Sequence, residues 1–266
     1  MSIRLGAVAF LNARPLVVPL ESSRTFELSY SVPSACAAEL RSGQIDLGLI
    51  PAIDYARSQD PYYIVPHVAI ASRGEVFTVR LFYRGALDQV ARVALDISSL
   101  TSVALVRILL REKYQLAPEF VDAPPDLESM LERAEAALLI GDPVFRHVDA
   151  AIASLDLGRE WTELTGDPFV FAFWAGRQGV LSPAQTRQLV QAGRAGREQI
   201  PAIARSFARE STGSNELYER YLREHIHFDL GAAELAGLRR FYGLAHEHGL
   251  IDSVPELRFY DMVSQA

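Results

Sequence analysis

Cysteine is nearly absent from this chain, since Cys36 is the only one among 266 residues. A single thiol excludes a disulfide within the chain and is typical of proteins from a reducing compartment. The sequence also lacks uninterrupted apolar stretches of about 18 residues, which a membrane-spanning helix needs. The apolar N-terminal segment Leu5–Leu11 is too short for the core of a secretory signal. We therefore expect a cytoplasmic protein without a membrane partner.

Runs of lysine or arginine are missing as well, and the formal net charge is −7. Because proteins that bind nucleic acid usually present a basic face, this charge argues against a nucleic-acid partner. Glycine-rich phosphate-binding motifs do not occur, nor does the Gly-x-Ser-x-Gly motif of hydrolases. The histidine pairs at 225 and 227 and at 246 and 248 would point to different sides of a helix. The sequence thus predicts no metal site and no nucleotide cofactor.

A regular alternation of strand and helix patterns fills the chain before Ser182. One example is the apolar strand pattern Phe26–Val32, followed by a helical segment, Ser34–Ser42, that ends at Gly43. Such alternation predicts an α/β fold with parallel sheets covered by helices. From a capping box at 182–185 onward, helices alone are predicted, the first of them running to about Arg209.

Two lobes are predicted, because the strand–helix series restarts after Gly85. Long strand patterns at Val76–Tyr83 and Phe169–Trp174 would carry the chain across and back. This is the topology of a two-lobed, type II periplasmic-binding-protein-like fold, here with a helical C-terminal segment. We predict lobe I at 1–82 plus 176–266, lobe II at 83–175, and a ligand cleft between them.

Polar residues follow several predicted strands, at the sheet edge where open α/β folds bind ligands. Asn12 follows the first strand, either as a helix cap or with its amide facing the cleft. Ser34 opens the next helix and could also point its hydroxyl into the cleft. Gly141 allows close approach of the backbone, and Asp142 is either a helix cap or an acid in the cleft. Cys36, among small residues on a helix, is predicted to be a core residue.

Hydroxyl groups crowd the strand-to-helix turn after Asp96, and Ser99, Thr101 and Ser102 are its candidate ligand-binding residues. A helix N-terminus offers unpaired N–H groups and about half a unit of positive charge. Together with these hydroxyls it would hold a carboxylate or a phosphate without lysine or arginine. Because phosphate loops normally contain glycine and this turn has none, a carboxylate is favoured.

Taken together, these segments resemble the MqnA family, the chorismate dehydratases of the futalosine route to menaquinone. The likeness extends over nearly the whole chain. Its matching stretches are FLNARPL at 10–16, VPSACAAELRSGQIDLGLIPAIDYAR at 32–57, IASRGEVFTVRLF at 70–82, ALDISSLTSVALVRILL at 94–110, ALLIGDPVF at 137–145, DLGREWTELTGDPFVFAFWAGR at 156–177 and FYGLAHEHGLI at 241–251.

This resemblance implies a carbon–oxygen lyase, a hydro-lyase that converts chorismate to 3-[(1-carboxyvinyl)oxy]benzoate without a cofactor. Loss of the C4 hydroxyl and the C3 proton makes an aromatic ring, so the enzyme mainly positions and desolvates its substrate. The resemblance implies that Asn12 and Thr78 are the catalytic residues, while the side-chain carboxylate of the substrate takes the proton. Serine is common in the family at the position of Thr78, and threonine keeps the hydroxyl but adds a methyl group.

Three alternatives stay open at this point. The sibling enzyme 1,4-dihydroxy-6-naphthoate synthase has a similar fold and acts on a cyclic futalosine derivative. A carboxylate-binding protein without chemistry would use the same cleft, although such proteins are normally exported. An effector-sensing domain of a transcription factor would need an attached helix-turn-helix. The oligomeric state and the proton acceptor are not determined by the sequence.

Overall fold

The computed structural model of the protein describes residues 2–148 and 150–263, and these form two mixed β-sheets. The first sheet contains β1 (Ile3–Val8), β2 (Phe26–Ser31), β3 (Leu47–Pro51), β4 (Tyr62–Ile64), β5 (Ile70–Ser72) and β11 (Phe169–Arg177). The second sheet contains β6 (Val79–Tyr83), β7 (Arg92–Asp96), β8 (Glu119–Ala123), β9 (Ala136–Ile140) and β10 (Ala153–Asp156).

Both sheets combine a parallel core with a strand of opposite direction. The order of the first is β2-β1-β3-β11-β4, with β5 also paired to β11. In it β1 runs parallel to β2 and β3, whereas β11 runs antiparallel to its neighbours. The order of the second is β10-β6-β9-β7-β8, where β7 is parallel to β8 and β9 while β6 is antiparallel to β9 and β10. The antiparallel strands β6 and β11 are those that follow each passage between the sheets.

Helices cover the sheets and form the C-terminal part of the chain. They are α1 (Arg14–Val17), α2 (Pro33–Ser42), α3 (Ala52–Arg57), α4 (Leu100–Glu112), α5 (Leu127–Arg133), α6 (Leu157–Thr165), α7 (Pro183–Glu198), α8 (Ile200–Glu210), α9 (Asn215–Arg220) and α10 (Ala232–Glu247), with a π-helix at Tyr221–His225. Helices α7 and α8 pack against α1, and α10 packs against β11 and α4. In the part of the chain that the structure describes, no helix is both long and apolar enough to span a bilayer.

Local sequence signals explain several helix ends. Helix α2 ends at Gly43, whose φ of 75° is the left-handed conformation that glycine adopts without strain. The capping box predicted between Ser182 and Gln185 is confirmed at the start of α7. The single helix predicted to Arg209 is wrong, because α7 ends at Glu198 and α8 begins at Ile200. Pro201 lies at the start of α8, where its missing N–H is tolerated, but it could not continue the preceding helix.

The sheet boundaries differ from the predicted lobe boundaries. The chain leaves the first sheet after Ser72, enters the second at Val79, and returns to the first at Phe169. All of β6 therefore lies in the second sheet and all of β11 in the first, so each crossing comes earlier than the predicted limits of 82 and 175. The division into lobes at the predicted limits stays a prediction.

Strand β6 is shorter than the predicted Val76–Tyr83 because a carboxylate forms hydrogen bonds with the backbone at the start of that segment. Asp156 accepts the backbone N–H groups of Val76 and Phe77, with N–O distances of 2.9 and 2.7 Å. Phe77 also has a φ of 70°, which is incompatible with an extended strand. The segment before Val79 is therefore a fixed crossing between the sheets.

Candidate functional site

Strands of both sheets end around one small cavity. Its volume is about 40 Å³, whereas ligand pockets usually measure roughly 300–1,000 Å³. The first sheet and its loops contribute Val8, Phe10, Asn12, Pro33, Pro51, Ile70, Phe171 and Ala172, the second contributes Val79, Ser99, Ser102, Ile140 and Gly141, and Val76 comes from the crossing segment. In this structure the cavity is therefore too small for a ligand of the usual size.

Asn12 contributes an amide to this cavity. It lies in a short 3-10 turn, Leu11–Ala13, directly after β1. Its Oδ1 is buried and has no hydrogen-bond partner within residues 2–148 and 150–263, so the side chain is not the helix cap that was the alternative interpretation. A buried polar atom without a partner costs about 1–3 kcal/mol. The amide oxygen is thus free to accept a proton donor from a ligand.

The Thr78 hydroxyl is bonded to a tyrosine that the sequence analysis did not single out. Thr78 Oγ1 lies 2.7 Å from the Tyr221 hydroxyl, and both side chains are buried. Burial raises the pKa of the Tyr221 hydroxyl well above its ordinary value, against the opposing effect of the hydrogen bond with Thr78. The structure therefore pairs Thr78 with Tyr221, and of the two predicted catalytic residues only Asn12 lines the cavity. No sequence signal marks Tyr221, because its position also suits a core residue of the helical segment.

Gly141 lines the small cavity, and the neighbouring Asp142 connects the two sheets. Both oxygens of the Asp142 carboxylate accept the backbone N–H of Leu11, with N–O distances of 3.0 and 3.2 Å. Burial raises the pKa of Asp142 to about 6, against the opposing effect of the Leu11 N–H. Gly141 has a φ of 68°, and a Cβ there would lie 2.9 Å from the Phe10 ring. In this structure the Asp142 carboxylate thus binds the turn after β1 and does not cap its own helical turn, while its role toward a ligand stays a prediction.

The hydroxyl groups predicted to bind a ligand after Asp96 do not all face the cavity. Ser99 and Ser102 both line the cavity, and their hydroxyl oxygens lie 3.2 Å apart at the N-terminus of α4. The Thr101 hydroxyl instead accepts the N–H of Ile53 at 3.1 Å, so it caps α3 of the facing sheet. Ser34 is half-buried and lies outside the lining, and its backbone N–H donates to the Ser98 carbonyl at 3.0 Å. Thus Ser99 and Ser102 are brought to the cavity, whereas Thr101 and Ser34 connect elements around it.

The lining of the cavity is electrically neutral among the described residues, since it contains no Lys, Arg, His, Asp or Glu. A carboxylate ligand would therefore be bound by hydroxyl groups and by the free N–H groups of the α4 N-terminus. Cys36 is buried close to this region, donates to the Gly6 carbonyl, and has a pKa raised by burial to about 12. Its thiol is consistent with the predicted core role. Within the described residues, no cluster of three or more potential metal ligands is found.

Sequence comparison relates the chain to proteins of quinone biosynthesis. Residues 3–247 match the family described as menaquinone biosynthesis. The chorismate dehydratase of Thermus thermophilus is 31% identical over 257 residues, which cover 89% of this chain and 93% of that enzyme.

Solved structures with the same architecture include a protein from Archaeoglobus fulgidus, with a TM-score of 0.77 and 19% identity over 94% of this chain and 98% of that chain. The alkanesulfonate-binding protein of Xanthomonas axonopodis pv. citri, bound to MOPS, has a TM-score of 0.67 and 16% identity over 96% of this chain and 94% of that chain. A Candida albicans protein described as having the generic periplasmic binding protein fold has a TM-score of 0.67 and 9% identity, covering 100% of this chain and 99% of that chain. The predicted fold class is confirmed by these likenesses.

Proposed function

The chain belongs to the menaquinone biosynthesis family, and from this premise we propose that it is a carbon–oxygen lyase that removes water from chorismate. The observation that carries the proposal is the 31% identity to a chorismate dehydratase along nearly the whole of both chains. The product would be 3-[(1-carboxyvinyl)oxy]benzoate. A cytoplasmic location belongs to the same proposal.

The neutral lining of the cavity supports a substrate that carries its own base. Chorismate has two carboxylates, and the hydroxyls of Ser99 and Ser102 at the α4 N-terminus are suited to bind one of them. In our proposal the carboxylate of the enolpyruvyl side chain takes the C3 proton. No ionisable side chain of the described lining competes for this role.

The reaction then needs the C3 proton to pass by way of this carboxylate to the leaving oxygen, and the C4–O bond to break. The electrons of the C3–H bond form the new ring double bond, the C4–O bond breaks, and the hydroxyl leaves as water with the proton from C3. Because the ring becomes aromatic, positioning and desolvation are sufficient protein contributions. Asn12 Oδ1 has no partner in the described residues. It is suited to accept a hydrogen bond from the C4 hydroxyl and thereby to hold the leaving group in place.

The test is purified protein incubated with chorismate and followed by ultraviolet absorbance and mass spectrometry. We expect loss of one water per molecule and the appearance of an aromatic product. Bound but unchanged chorismate would contradict the proposal and favour a binding protein without chemistry. Conversion of a cyclic futalosine derivative with no action on chorismate would favour 1,4-dihydroxy-6-naphthoate synthase activity instead.

A further inference from the structure

Tyr221 lies against one of the two predicted catalytic residues. Its hydroxyl is 2.7 Å from Thr78 Oγ1, and both side chains are buried. Thr78 comes from the crossing segment before β6, and Tyr221 comes from the C-terminal helices. Two parts of the chain that are 143 positions apart therefore meet in one buried hydrogen bond.

Either hydroxyl can donate in this hydrogen bond. In both arrangements the bond fixes the direction of the Thr78 hydroxyl, and Thr78 Oγ1 keeps one further hydrogen bond, as donor or as acceptor, for a ligand. Tyr221 therefore determines where the Thr78 hydroxyl can point.

We propose that Tyr221 is a positioning residue that holds the Thr78 hydroxyl in place for the substrate. This inference rests on the proposed dehydration of chorismate and adds to it a residue that does not line the cavity. Without the Tyr221 hydroxyl, Thr78 keeps its own hydroxyl but loses the partner that fixes its direction.

The surroundings of Tyr221 hold its ring independently of its hydroxyl. The ring packs edge-on against Phe145 with 5.1 Å between centroids and lies 6.1 Å from Phe77. Tyr221 begins the π-helix Tyr221–His225, an irregularity that is frequent at functional sites. Because the aromatic packing does not involve the oxygen, Tyr221→Phe removes the hydrogen bond and retains the core.

The test compares Tyr221→Phe with the matched control Tyr218→Phe. Tyr218 is equally buried in the preceding turn, and its hydroxyl accepts the Gly213 N–H at 2.8 Å, away from the cavity lining. We expect Tyr221→Phe to lower kcat roughly 10- to 100-fold with little change in KM, since misplaced reacting groups lose rate. Tyr218→Phe is expected to keep wild-type kcat while losing stability to a similar extent.

A second comparison shows whether Tyr221 acts through Thr78. In a double-mutant cycle with Thr78→Val, the second substitution should add little to the loss of kcat, because both remove the same hydrogen bond. Multiplicative losses would show independent roles and overturn the inference. Equal kcat for Tyr221→Phe and Tyr218→Phe would overturn it as well.

The wild-type protein separates this inference from the proposed function. If the wild type leaves chorismate unchanged, the dehydratase proposal fails, and the role of Tyr221 in that reaction fails with it. If the wild type converts chorismate and Tyr221→Phe converts it equally fast, only the inference about Tyr221 fails.

Discussion

Asn12 carries the buried amide oxygen in the cavity that has no partner in residues 2–148 and 150–263. Folding leaves such an atom unpaired at a cost of about 1–3 kcal/mol, which a ligand hydroxyl can offset. A carboxylate would be repelled by the same oxygen, whereas a hydroxyl group can donate to it. The polarity of this single atom therefore favours contact with an alcohol group of the substrate over its carboxylates.

Replacement of Asn12 by alanine should impair turnover far more than binding. We expect kcat to fall by about 100-fold because the leaving group is no longer positioned, while the Kd for substrate changes by less than about tenfold, the value of one neutral hydrogen bond. Steady-state kinetics and calorimetry measure the two effects. Asn215→Ala is a suitable control, since Asn215 also has a buried Oδ1 without a partner among the described residues but lies outside the cavity lining. Near-normal turnover of Asn12→Ala would contradict this role.

Asp142 should make stability depend on pH. Burial raises its folded-state pKa to about 6, above the roughly 3.9 of an unfolded aspartate. A raised pKa favours the protonated form, so the stabilising contribution is complete below about pH 4 and is lost as pH rises through about 6. Relative to Asp142→Asn, the wild type should lose about 2–3 kcal/mol of unfolding free energy between about pH 4 and pH 8. Urea unfolding of both proteins at the two pH values measures this difference, and a constant difference would refute it.

At the scale of elements, contacts between helices and strands decide details that propensity leaves open. Thr101 was predicted to bind ligand, but α3 of the other sheet uses its hydroxyl as an N-terminal acceptor. Strand β6 begins late because Asp156 binds the backbone ahead of it. Both cases involve residues far apart in sequence, so no local pattern could indicate them.

Two helical glycines should respond oppositely to alanine. A Cβ on Gly196 of α7 would overlap the Pro15 carbonyl oxygen. A Cβ on Gly243 of α10 would meet no atom of the described residues within 4 Å, apart from its chain neighbours and its own helix backbone. Gly196→Ala should therefore destabilise by about 3 kcal/mol or more, because α7 must separate from α1. Gly243→Ala should stabilise by about 0.5–1 kcal/mol through helix propensity. Denaturant midpoints test the pair, and a change of the same sign in both would contradict this packing.

At the scale of the whole molecule, the sheets close around a cavity of about 40 Å³. Hydrogen bonds join elements from both sides of it, among them Asp142 with Leu11 and Thr101 with Ile53. We expect substrate entry to break several of these contacts, which are individually worth about 1 kcal/mol. Closure around the substrate would then exclude water and strengthen the polar interactions with it.

The radius of gyration should therefore respond to ligand. Small-angle X-ray scattering is expected to show a more expanded average shape without ligand, and contraction to the closed shape when product is added in excess, because ligand binding favours the closed state. Identical scattering with and without product, despite binding measured by calorimetry, would show that entry does not need separation of the sheets.

The sequence alone was sufficient for the α/β class, the capping box at Ser182, the position of Asn12 after β1 and most of the strand–helix order, because these depend on local periodicity and on residue type. The elements β4, β10 and α6 were not predicted. Only the tertiary structure decided where the chain passes from one sheet to the other and that Asp142 binds the backbone of Leu11. It also decided that Ser99 and Ser102 reach the cavity while Thr101 does not. It also brought Tyr221 to Thr78, across 143 positions of sequence. Periodicity describes which face of an element is buried, whereas the partner on that face is fixed by packing between elements that the sequence separates.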